Sequence, residues 1–379
     1  MPSDPLRRCV GDTERFATEH WGRAPMLYAG TGSSFDDLLD IASVEVLLTD
    51  LGRRPTFRLV RDGTTLPATS YTVRTRVGGV DIDDVADVDR ILGHVAAGAT
   101  LVMQGLQRCW PPLARFCLAL EAELGHAVQA NAYLSPPSAA GLAEHADDHD
   151  VIVVQVDGTK HWEIGGLGAV VLAAGDTAYL PAGTRHSAHT TGAHSLHITL
   201  GLLTTTTREV LHRVLDRIDD VELDRPLPLR FTADASRSAL VTQLADALDS
   251  VARRLATTDP ADVAAGEVDR RTRRARRRWT GRLAVTVDPA AITDATVVRR
   301  RRPFTVALDA DRAVLTLADR RLRLPAATFD ALRTMADDDP VAVGLLPGLD
   351  AHDRSVVVRR LVREGAVEIV GNGSGNRSS

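Results

Sequence analysis

The chain has 379 residues, of which 44% are hydrophobic and 25% charged, and its formal net charge at pH 7 is −5. That length supports two or three domains with a large buried core, in a composition typical of globular proteins. No apolar run approaches the ~18 residues of a membrane span, and the N-terminus lacks the apolar region of a secretory signal. We therefore expect a cytoplasmic protein without a membrane partner.

Cysteine and lysine are both scarce. Cys9, Cys109 and Cys117 show no Cys-x-x-Cys spacing, and we expect reduced structural thiols. Among the 45 basic residues, Lys160 alone is a lysine. Because an ammonium and a planar guanidinium hold a carboxylate differently, this lysine marks a candidate functional position; survival by chance is the alternative.

The N-terminal part mixes helices with short strands. "DTERFATEHWGRAPMLY" indicates an amphipathic helix ending before Pro25, and "FDDLLDIASVEVLLTDL" has helical spacing. A helix is predicted from about Asp87 to Ala96 and a strand from about Thr100 to Gln104. "PPLARFCLALEAELG" predicts a further helix, with proline at its start and Gly125 near its end.

From His126 the hydrophobic period becomes that of strands. "HAVQANAYLS", "DVIVVQV", "KHWEI", "AVVLAAG", "DTAYLPAG" and "HSLHITLGLL" are short β-rich runs separated by Gly, Pro and Asp. Asp157-Gly158 predicts a hairpin turn between "VIVVQV" and "TKHWEI". Such closely spaced strands favour a small antiparallel barrel or jelly roll.

The pattern is helical again from Thr205 to about Ala256, and a dense basic stretch, Arg270–Arg278, follows in another predicted helix. From about Ala284 to Val370, strands and helices alternate in an order similar to that of a winged helix. The final "GNGSGNRSS" is typical of a disordered end.

Two histidines and an aspartate form a candidate metal site. In a strand, residues i and i+2 point to one side, so His145 and Asp147 can offer an imidazole and a carboxylate to one ion. "DTAYLPAGTRHSAH" supplies His186 as a third ligand after a turn. Two histidines and one carboxylate on one face of a metal are the mark of non-haem Fe(II) oxygenases, which leave positions open for a cosubstrate and O₂.

Lys160 fits the same chemistry. A cosubstrate with a second carboxylate needs a fixed cation away from the metal, and Lys160 lies on the next β segment. Of the 12 histidines, seven (His145, His149, His161, His186, His189, His194 and His197) lie within this β module, which favours a metal site. For His149, His161 and His189, a surface or hydrogen-bonded role is the preferred interpretation.

The β module resembles a known family. "ANAYLSPPSAAGLAEHADDHDVIVVQVDGTKHWEI" and "GDTAYLPAGTRHSAHTTGAHSLHITLGL" are similar to the JmjC-type ribosomal oxygenases, cupin-like protein hydroxylases that include arginine and histidine hydroxylases. The resemblance implies an α+β fold: a double-stranded β-helix (jelly-roll, cupin-like JmjC) core, a helical dimerisation region and a C-terminal winged-helix-like domain. The implied boundaries are 1–204, 205–283 and 284–371, with a disordered tail at 372–379.

The resemblance also assigns roles to residues. It implies that His145, Asp147 and His186 bind Fe(II), and that Lys160 pairs with the far carboxylate of 2-oxoglutarate. It makes Asn131 and Thr199 further candidates for contact with this cosubstrate. His194 and His197 either orient a ligand or are hydrogen-bonded interior histidines.

The leading hypothesis is a 2-oxoglutarate-dependent dioxygenase that uses O₂ to hydroxylate an arginine- or histidine-type side chain of a protein or peptide, possibly ribosomal. The resemblance implies a homodimer. Asp147, Asp148 and Asp150 either help to hold a cationic residue or form a solvated acidic turn, the preferred interpretation.

Three alternatives remain open. One is a tailoring hydroxylase of a ribosomally made peptide or a small-molecule natural product. Another is a winged-helix nucleic-acid-binding regulator with a non-catalytic barrel, suggested by Arg270–Arg278. The tail offers few residues suited to base readout, so nucleic acid is not the expected partner. The third is a cupin isomerase or dioxygenase with another divalent metal, which makes no use of Lys160.

Overall fold

The computed structural model describes residues 4–30, 34–220, 223–274, 282–301, 304–317, 320–337 and 339–372. Contacts divide the chain into an N-terminal unit, residues 1–217, and a C-terminal unit, residues 218–379. Part of the basic stretch Arg270–Arg278 lies outside the described residues, as does the predicted tail beyond Asn372. Within the described ranges, no helix has both the length and the apolarity needed to cross a bilayer.

The N-terminal unit combines helices with a large set of strands. Its helices are α1 (Pro5–Val10), α2 (Thr13–Arg15), α3 (Ile41–Leu51), α4 (Val88–Ala96), α5 (Leu106–Cys109), α6 (Pro111–Leu124) and α7 (Thr207–Leu215). Its strands are β1 (Met26–Tyr28), β2 (Phe57–Arg61), β3 (Thr64–Thr65), β4 (Thr72–Val77), β5 (Val80–Ala86), β6 (Thr100–Met103), β7 (Ala127–Ser135), β8 (His145–Ala146), β9 (Asp150–Ile164), β10 (Gly168–Ala173), β11 (Thr177–Leu180), β12 (Arg185–His189) and β13 (Ser195–Leu203). A short π-helix (Phe16–His20) continues α2, and a 3-10 turn (Ala68–Ser70) precedes β4.

The barrel strands form two facing antiparallel layers. One layer has the order β1-β11-β9-β13-β7-β6-β2-β3. In the other, β9 lies between β10 and β12, and β12 also pairs with β8. β4 and β5 form a separate two-stranded sheet. The arrangement confirms the predicted α+β, cupin-like barrel.

β9 is buried on both sides, which explains its almost continuous run of apolar residues. Ile152 and Val154 belong to the core cluster that includes residues of α3 and α6. Val151 and Val153 point to the opposite side, into a second cluster with Trp162. Alternation along the strand thus serves two cores at once.

The predicted hairpin at Asp157-Gly158 is wrong. β9 runs through this pair without reversing: its first half pairs with β11 and β13, and its second half pairs with β10 and β12. Gly158 has a φ of +66° and its backbone N–H donates to the Asp157 carboxylate, so the pair bends the strand as it passes between layers. Both a bend and a hairpin use these turn residues, and the pairing partners decide between them.

The predicted elements around α4, β6 and α6 are confirmed within a residue or two. Asp87 caps α4, since its side chain accepts a hydrogen bond from the Arg90 backbone N–H. Proline opens α6, and Gly125, in the left-handed conformation, ends it.

The C-terminal unit begins with long helices and ends with small sheets. Its helices are α8 (Arg237–Thr257), α9 (Pro260–Arg274), α10 (Arg282–Val287), α11 (Phe329–Thr334) and α12 (Ala351–Glu364), and its short 3-10 turns are Asp234–Ser236, Pro289–Ala291, Ala326–Thr328 and Val343–Leu345. Its strands are β14 (Thr296–Arg300), β15 (Phe304–Asp309), β16 (Arg312–Leu317), β17 (Arg320–Pro325), β18 (Val341–Ala342) and β19 (Val367–Asn372). They form two sheets, in the orders β18-β14-β19 and β15-β16-β17, with their own apolar core.

Candidate metal and cosubstrate site

The structure brings His145, Asp147 and His186 together. His145 on β8 lies directly opposite His186 on β12, and the two ring centroids are 4.4 Å apart. Asp147 follows β8, and one of its carboxylate oxygens lies 3.7 Å from Nε2 of His186. One potential ligand atom from each residue lies within 4.8 Å of the others.

The histidine rings are oriented for metal binding. Nδ1 of His145 is 2.8 Å from the carbonyl oxygen of Ala143, and Nδ1 of His186 is 2.9 Å from that of Thr184. A carbonyl only accepts, so each Nδ1 carries the proton and each Nε2 keeps a free lone pair. Burial lowers the pKa of His186, which favours the neutral, metal-binding ring.

This donor set fits a first-row divalent metal. Ligand atoms about 2.0–2.2 Å from one ion lie about 3 Å apart at right angles, so metal binding would draw the three side chains closer than their observed spacing of up to 4.8 Å. Two imidazoles and one carboxylate leave further coordination positions open, as in non-haem iron oxygenases.

The triad lines a cavity of about 260 Å³ whose wall also contains Lys160. The Lys160 side chain is buried, at 2% exposure, and its Nζ donates a 2.9 Å hydrogen bond to the Ser135 hydroxyl. The Ser135 hydroxyl also lies 2.9 Å from that of Thr100. Burial lowers the pKa of Lys160 from 10.5 to about 8. An ammonium at this depth, with no carboxylate partner among the described residues, is suited to binding an anion.

The two further cosubstrate candidates, Asn131 and Thr199, have different surroundings. Asn131 and Thr199 are paired in register on β7 and β13. Thr199 lines the cavity. The side-chain oxygen of Asn131 accepts a 3.0 Å hydrogen bond from the Gly105 backbone N–H, and Asn131 is absent from the described cavity lining. Asn131 thus anchors the start of α5 in this structure.

Two aromatic side chains in the cavity wall, Tyr133 and Trp162, were not predicted from the sequence. The Tyr133 ring stacks on His197 with centroids 4.7 Å apart, and Trp162 packs edge-on against His197 at 5.4 Å. The Trp162 indole N–H is buried without a hydrogen-bond partner in the described residues. A signal was present, since Tyr133 follows Asn131 by two positions and Trp162 follows Lys160 by two, the spacing that keeps strand residues on one face.

The remaining histidines of the β module have local roles. His149 is 2.8 Å from the Asp148 carboxylate, His161 is 3.0 Å from the Thr191 hydroxyl, and His194 is 3.0 Å from the Asp157 carboxylate. The His189 ring stacks on His161. No hydrogen bond in the described part of the chain joins His194 or His197 to the triad; His197 is buried, whereas the His194 side chain is 43% exposed.

The three aspartates of the acidic run, Asp147, Asp148 and Asp150, have different surroundings. Asp147 joins the triad. Asp148 is fully exposed, as expected for a solvated turn. Asp150 is buried, accepting a 2.6 Å hydrogen bond from the Tyr179 hydroxyl and a 2.9 Å bond from the Ala182 backbone N–H. Asp150 therefore stabilises the turn before β12.

Comparison with known proteins agrees with this geometry. Residues 106–169 match the JmjC domain family, a segment that contains His145, Asp147 and Lys160. Ribosomal oxygenase 1 of Gallus gallus is 31% identical over 218 residues, which are 49% of this chain and 34% of that protein. A Drosophila melanogaster protein, bifunctional lysine-specific demethylase and histidyl-hydroxylase NO66, is 35% identical over 31% of this chain and 23% of its own length. The chain thus spans about a third or less of these curated relatives.

Solved structures support the fold over a longer stretch. YcfD, a ribosomal oxygenase from Escherichia coli solved with cobalt and 2-oxoglutarate, superposes with a TM-score of 0.52 at 18% identity, covering 95% of this chain and 98% of that one. Its complex with cobalt and succinic acid gives a TM-score of 0.53 at 16% identity, over 95% and 98% of the two chains. At these identities the likeness concerns the fold.

The fold and the triad match those of a JmjC-type domain, the family whose model covers residues 106–169 of this chain. Over 218 residues the chain is similar in sequence to a ribosomal oxygenase, and its fold is similar to that of YcfD. Neither the regulator nor the natural-product alternative is favoured by these relatives.

Proposed function

We propose that this protein uses Fe(II), 2-oxoglutarate and O₂ to hydroxylate an amino-acid side chain of a protein or peptide. The observation that carries this proposal is a cavity whose wall contains both a His-Asp-His triad and the buried Lys160 ammonium. No carboxylate in the described parts of the chain pairs with that ammonium. The triad suits Fe(II), and the ammonium suits the far carboxylate of a dicarboxylic cosubstrate.

Each group in the cavity has a defined task. His145, Asp147 and His186 would hold the metal. Bound together, iron and 2-oxoglutarate activate O₂ and oxidise a C–H bond, while the cosubstrate becomes succinate and CO₂. Lys160 and the Ser135 hydroxyl would orient the cosubstrate. Apolar side chains, namely Val60, Val102, Val151 and Val153, line the same cavity and would limit water access.

The expected substrate is an arginine- or histidine-type side chain, possibly of a ribosomal protein. Its support is that named relatives are ribosomal oxygenases and a histidyl-hydroxylase. We propose a cytoplasmic location on the sequence evidence alone. Asn131 and Thr199 stay candidates for cosubstrate contact, and of the two Thr199 has the support of lining the cavity.

Regions beyond the barrel carry two further proposals. The helical region from 205 to 283 would form a homodimer, supported by exposed Val241, Leu244 and Leu248 at helical spacing on α8. The segment from 284 to 371 would be a winged-helix-like domain, supported by α12 leading through Gly365 into β19 of an antiparallel sheet.

The decisive experiment measures succinate formed from 2-oxoglutarate with Fe(II) present, together with mass gain of one oxygen atom on ribosomal proteins and short peptides. His145→Ala and Lys160→Met should each abolish or strongly reduce succinate formation. His161→Ala is the matched control, because this histidine lies on the same strand as Lys160 but outside the cavity lining. Equal turnover in wild type and His145→Ala would refute the proposal.

A further inference from the structure

The cavity contains a second cation, Arg58. Arg58 on β2 is paired in register with Val102 on β6, which is paired in turn with Tyr133 on β7. All three side chains line the cavity. Adjacent strands are about 4.8 Å apart, so Arg58 starts about 10 Å across the sheet from Tyr133, a distance its long side chain can largely bridge.

Among the described residues, Arg58 has no carboxylate partner for its charge. Its Nη1 donates a long, 3.3 Å hydrogen bond to the neutral Thr65 hydroxyl. Its Nε is buried and makes no hydrogen bond, and no carboxylate of the described residues forms an ion pair with it. Arg185 near the same site differs, since it pairs with Glu144 at 2.6 Å. A partly buried guanidinium without an anion is costly and is usually satisfied by one.

The charges of the loaded site leave Arg58 uncompensated. A ferrous ion, the Asp147 carboxylate, dianionic 2-oxoglutarate and the Lys160 ammonium together sum to zero. The guanidinium of Arg58 is then an excess positive charge in a cavity of low dielectric constant. Burial raises the pKa of the Tyr133 hydroxyl, and the Arg58 charge opposes this shift, so the field of Arg58 reaches Tyr133 in the cavity wall.

We propose that Arg58 binds a carboxylate of the substrate, so that the oxidised carbon lies next to an acidic group of the protein or peptide. The inference rests on the proposed function and narrows it: of the arginine- and histidine-type side chains proposed above, it disfavours arginine, which stays protonated, and favours a neutral histidine-type side chain beside a carboxylate. Arg58 is a specificity-determining residue in this scheme.

Arg58 is less deeply buried than Lys160, and for this reason we assign its carboxylate partner to the substrate rather than to the cosubstrate. Lys160 is nearly inaccessible and already shares its ammonium with Ser135. Arg58 is only partly buried and lies on β2, next to the last strand of its layer. The turn after β2 donates a hydrogen bond from the Gly63 backbone N–H to the Gly141 carbonyl, in the loop leading to the triad. Arg58 is therefore nearer to solvent than Lys160, as a residue that contacts an entering substrate would be.

The test measures binding to the full-length protein loaded anaerobically with Mn(II) and 2-oxoglutarate. Three capped amino acids serve as probes: N-acetyl-glutamate N-methylamide, its glutamine counterpart and its arginine counterpart. The glutamate probe should bind about 10-fold or more tightly than the other two, as expected for a charge-assisted hydrogen bond. Arg58→Met should remove this preference, and Arg58→Glu should reverse it in favour of the arginine probe.

Controls separate this inference from others. Arg76→Met removes an exposed arginine of the β4–β5 sheet and should leave the preference intact. The Kd for 2-oxoglutarate should change less than about 3-fold in Arg58→Met, because removing a charge-assisted hydrogen bond to the cosubstrate would weaken binding by more than this. A large loss of 2-oxoglutarate affinity would overturn the inference and assign Arg58 to the cosubstrate.

The inference about Arg58 would also be overturned if the wild type showed no preference for the glutamate probe, or no measurable binding of any probe. Succinate formation without added substrate is measured in parallel. If wild type and Arg58→Met both form succinate while no preference exists, the Arg58 inference fails and the proposed function stands. If the wild type forms none, the proposed function itself fails.

Discussion

His145 and His186 are directly opposite one another in the antiparallel pairing of β8 and β12. A short backbone ladder therefore fixes the spacing of two metal ligands that are far apart in sequence. Asp147 then needs to extend only two residues beyond His145 to complete the triad. Strand register thus sets the distance between the two histidines.

Removal of one triad residue should abolish metal binding without unfolding the barrel. For His186→Ala and Asp147→Ala, we expect Mn(II) affinity to fall at least about 100-fold, since loss of a residue that merely supports a ligand already costs up to this much. Isothermal titration calorimetry measures the affinity, and circular dichroism checks the fold. The control is His161→Ala. Retained affinity in His186→Ala would show that the metal lies elsewhere.

Cosubstrate affinity should depend on the protonation of Lys160. The pKa of this ammonium is lowered from 10.5 to about 8 by burial, and only the charged form attracts a carboxylate. The affinity is therefore fully present below pH 8 and should fall about 10-fold per pH unit above it, until the pKa of the bound complex is reached. Calorimetric titration of 2-oxoglutarate with Mn(II) between pH 7 and 9.5 checks this, and Lys160→Met should be weak and independent of pH.

The same shift has an opposite effect on stability. Between pH 8 and 10.5, Lys160 is protonated in the unfolded chain but largely neutral in the folded protein. Its burial therefore lowers the free energy of unfolding by the full amount below pH 8, and this loss disappears as the pH rises toward 10.5. We expect Lys160→Met, without cosubstrate, to be more stable than wild type at pH 7, by on the order of 3 kcal/mol. Urea unfolding at several pH values measures the difference, which should shrink toward pH 10.

His197 should destabilise the protein in acid. It is buried, its Nδ1 has no hydrogen-bond partner in the described residues, and burial holds its pKa well below the usual value. Below pH 6.5 this histidine is protonated in the unfolded chain but stays neutral in the folded protein. The free energy of unfolding therefore falls as the pH decreases, by at most about 1.4 kcal/mol per pH unit. His197→Phe keeps the stack on Tyr133 and should flatten this dependence. Parallel pH profiles for the two proteins would contradict the prediction.

The Tyr179 hydroxyl should contribute to the stability of the N-terminal unit. It donates to buried Asp150 and accepts a 2.7 Å hydrogen bond from the Gly22 backbone N–H. Tyr179→Phe leaves both partners short of a bond, so we expect a loss of about 1–3 kcal/mol in the free energy of unfolding. Tryptophan fluorescence during urea unfolding measures it. In the control, Tyr28→Phe, no described hydrogen bond is removed, and a similar loss there would point to a general effect of hydroxyl removal.

Much of the barrel and the triad could be predicted because the signals are local. Alternating apolar residues mark the strands, and His145 and Asp147 are two positions apart on one face. The bend at Asp157-Gly158 could not be predicted, because its turn residues also suit a hairpin. The choice between bend and hairpin depends on pairing with strands that are distant in the sequence. Arg58 was missed for a related reason: it reaches the cavity through register with β6, a strand more than forty residues later in the chain.

β9 links the two ends of the cavity through a single covalent run. The strand begins three residues after Asp147 and carries Lys160 in its second half. Gly158 fixes the bend between them, since a Cβ there would lie 2.0 Å from the His194 carbonyl oxygen. The strand thus sets the distance that a dicarboxylic acid must span between the metal and the Lys160 ammonium. Oxaloacetate is shorter than 2-oxoglutarate and 2-oxoadipate is longer, so each would fit this distance poorly.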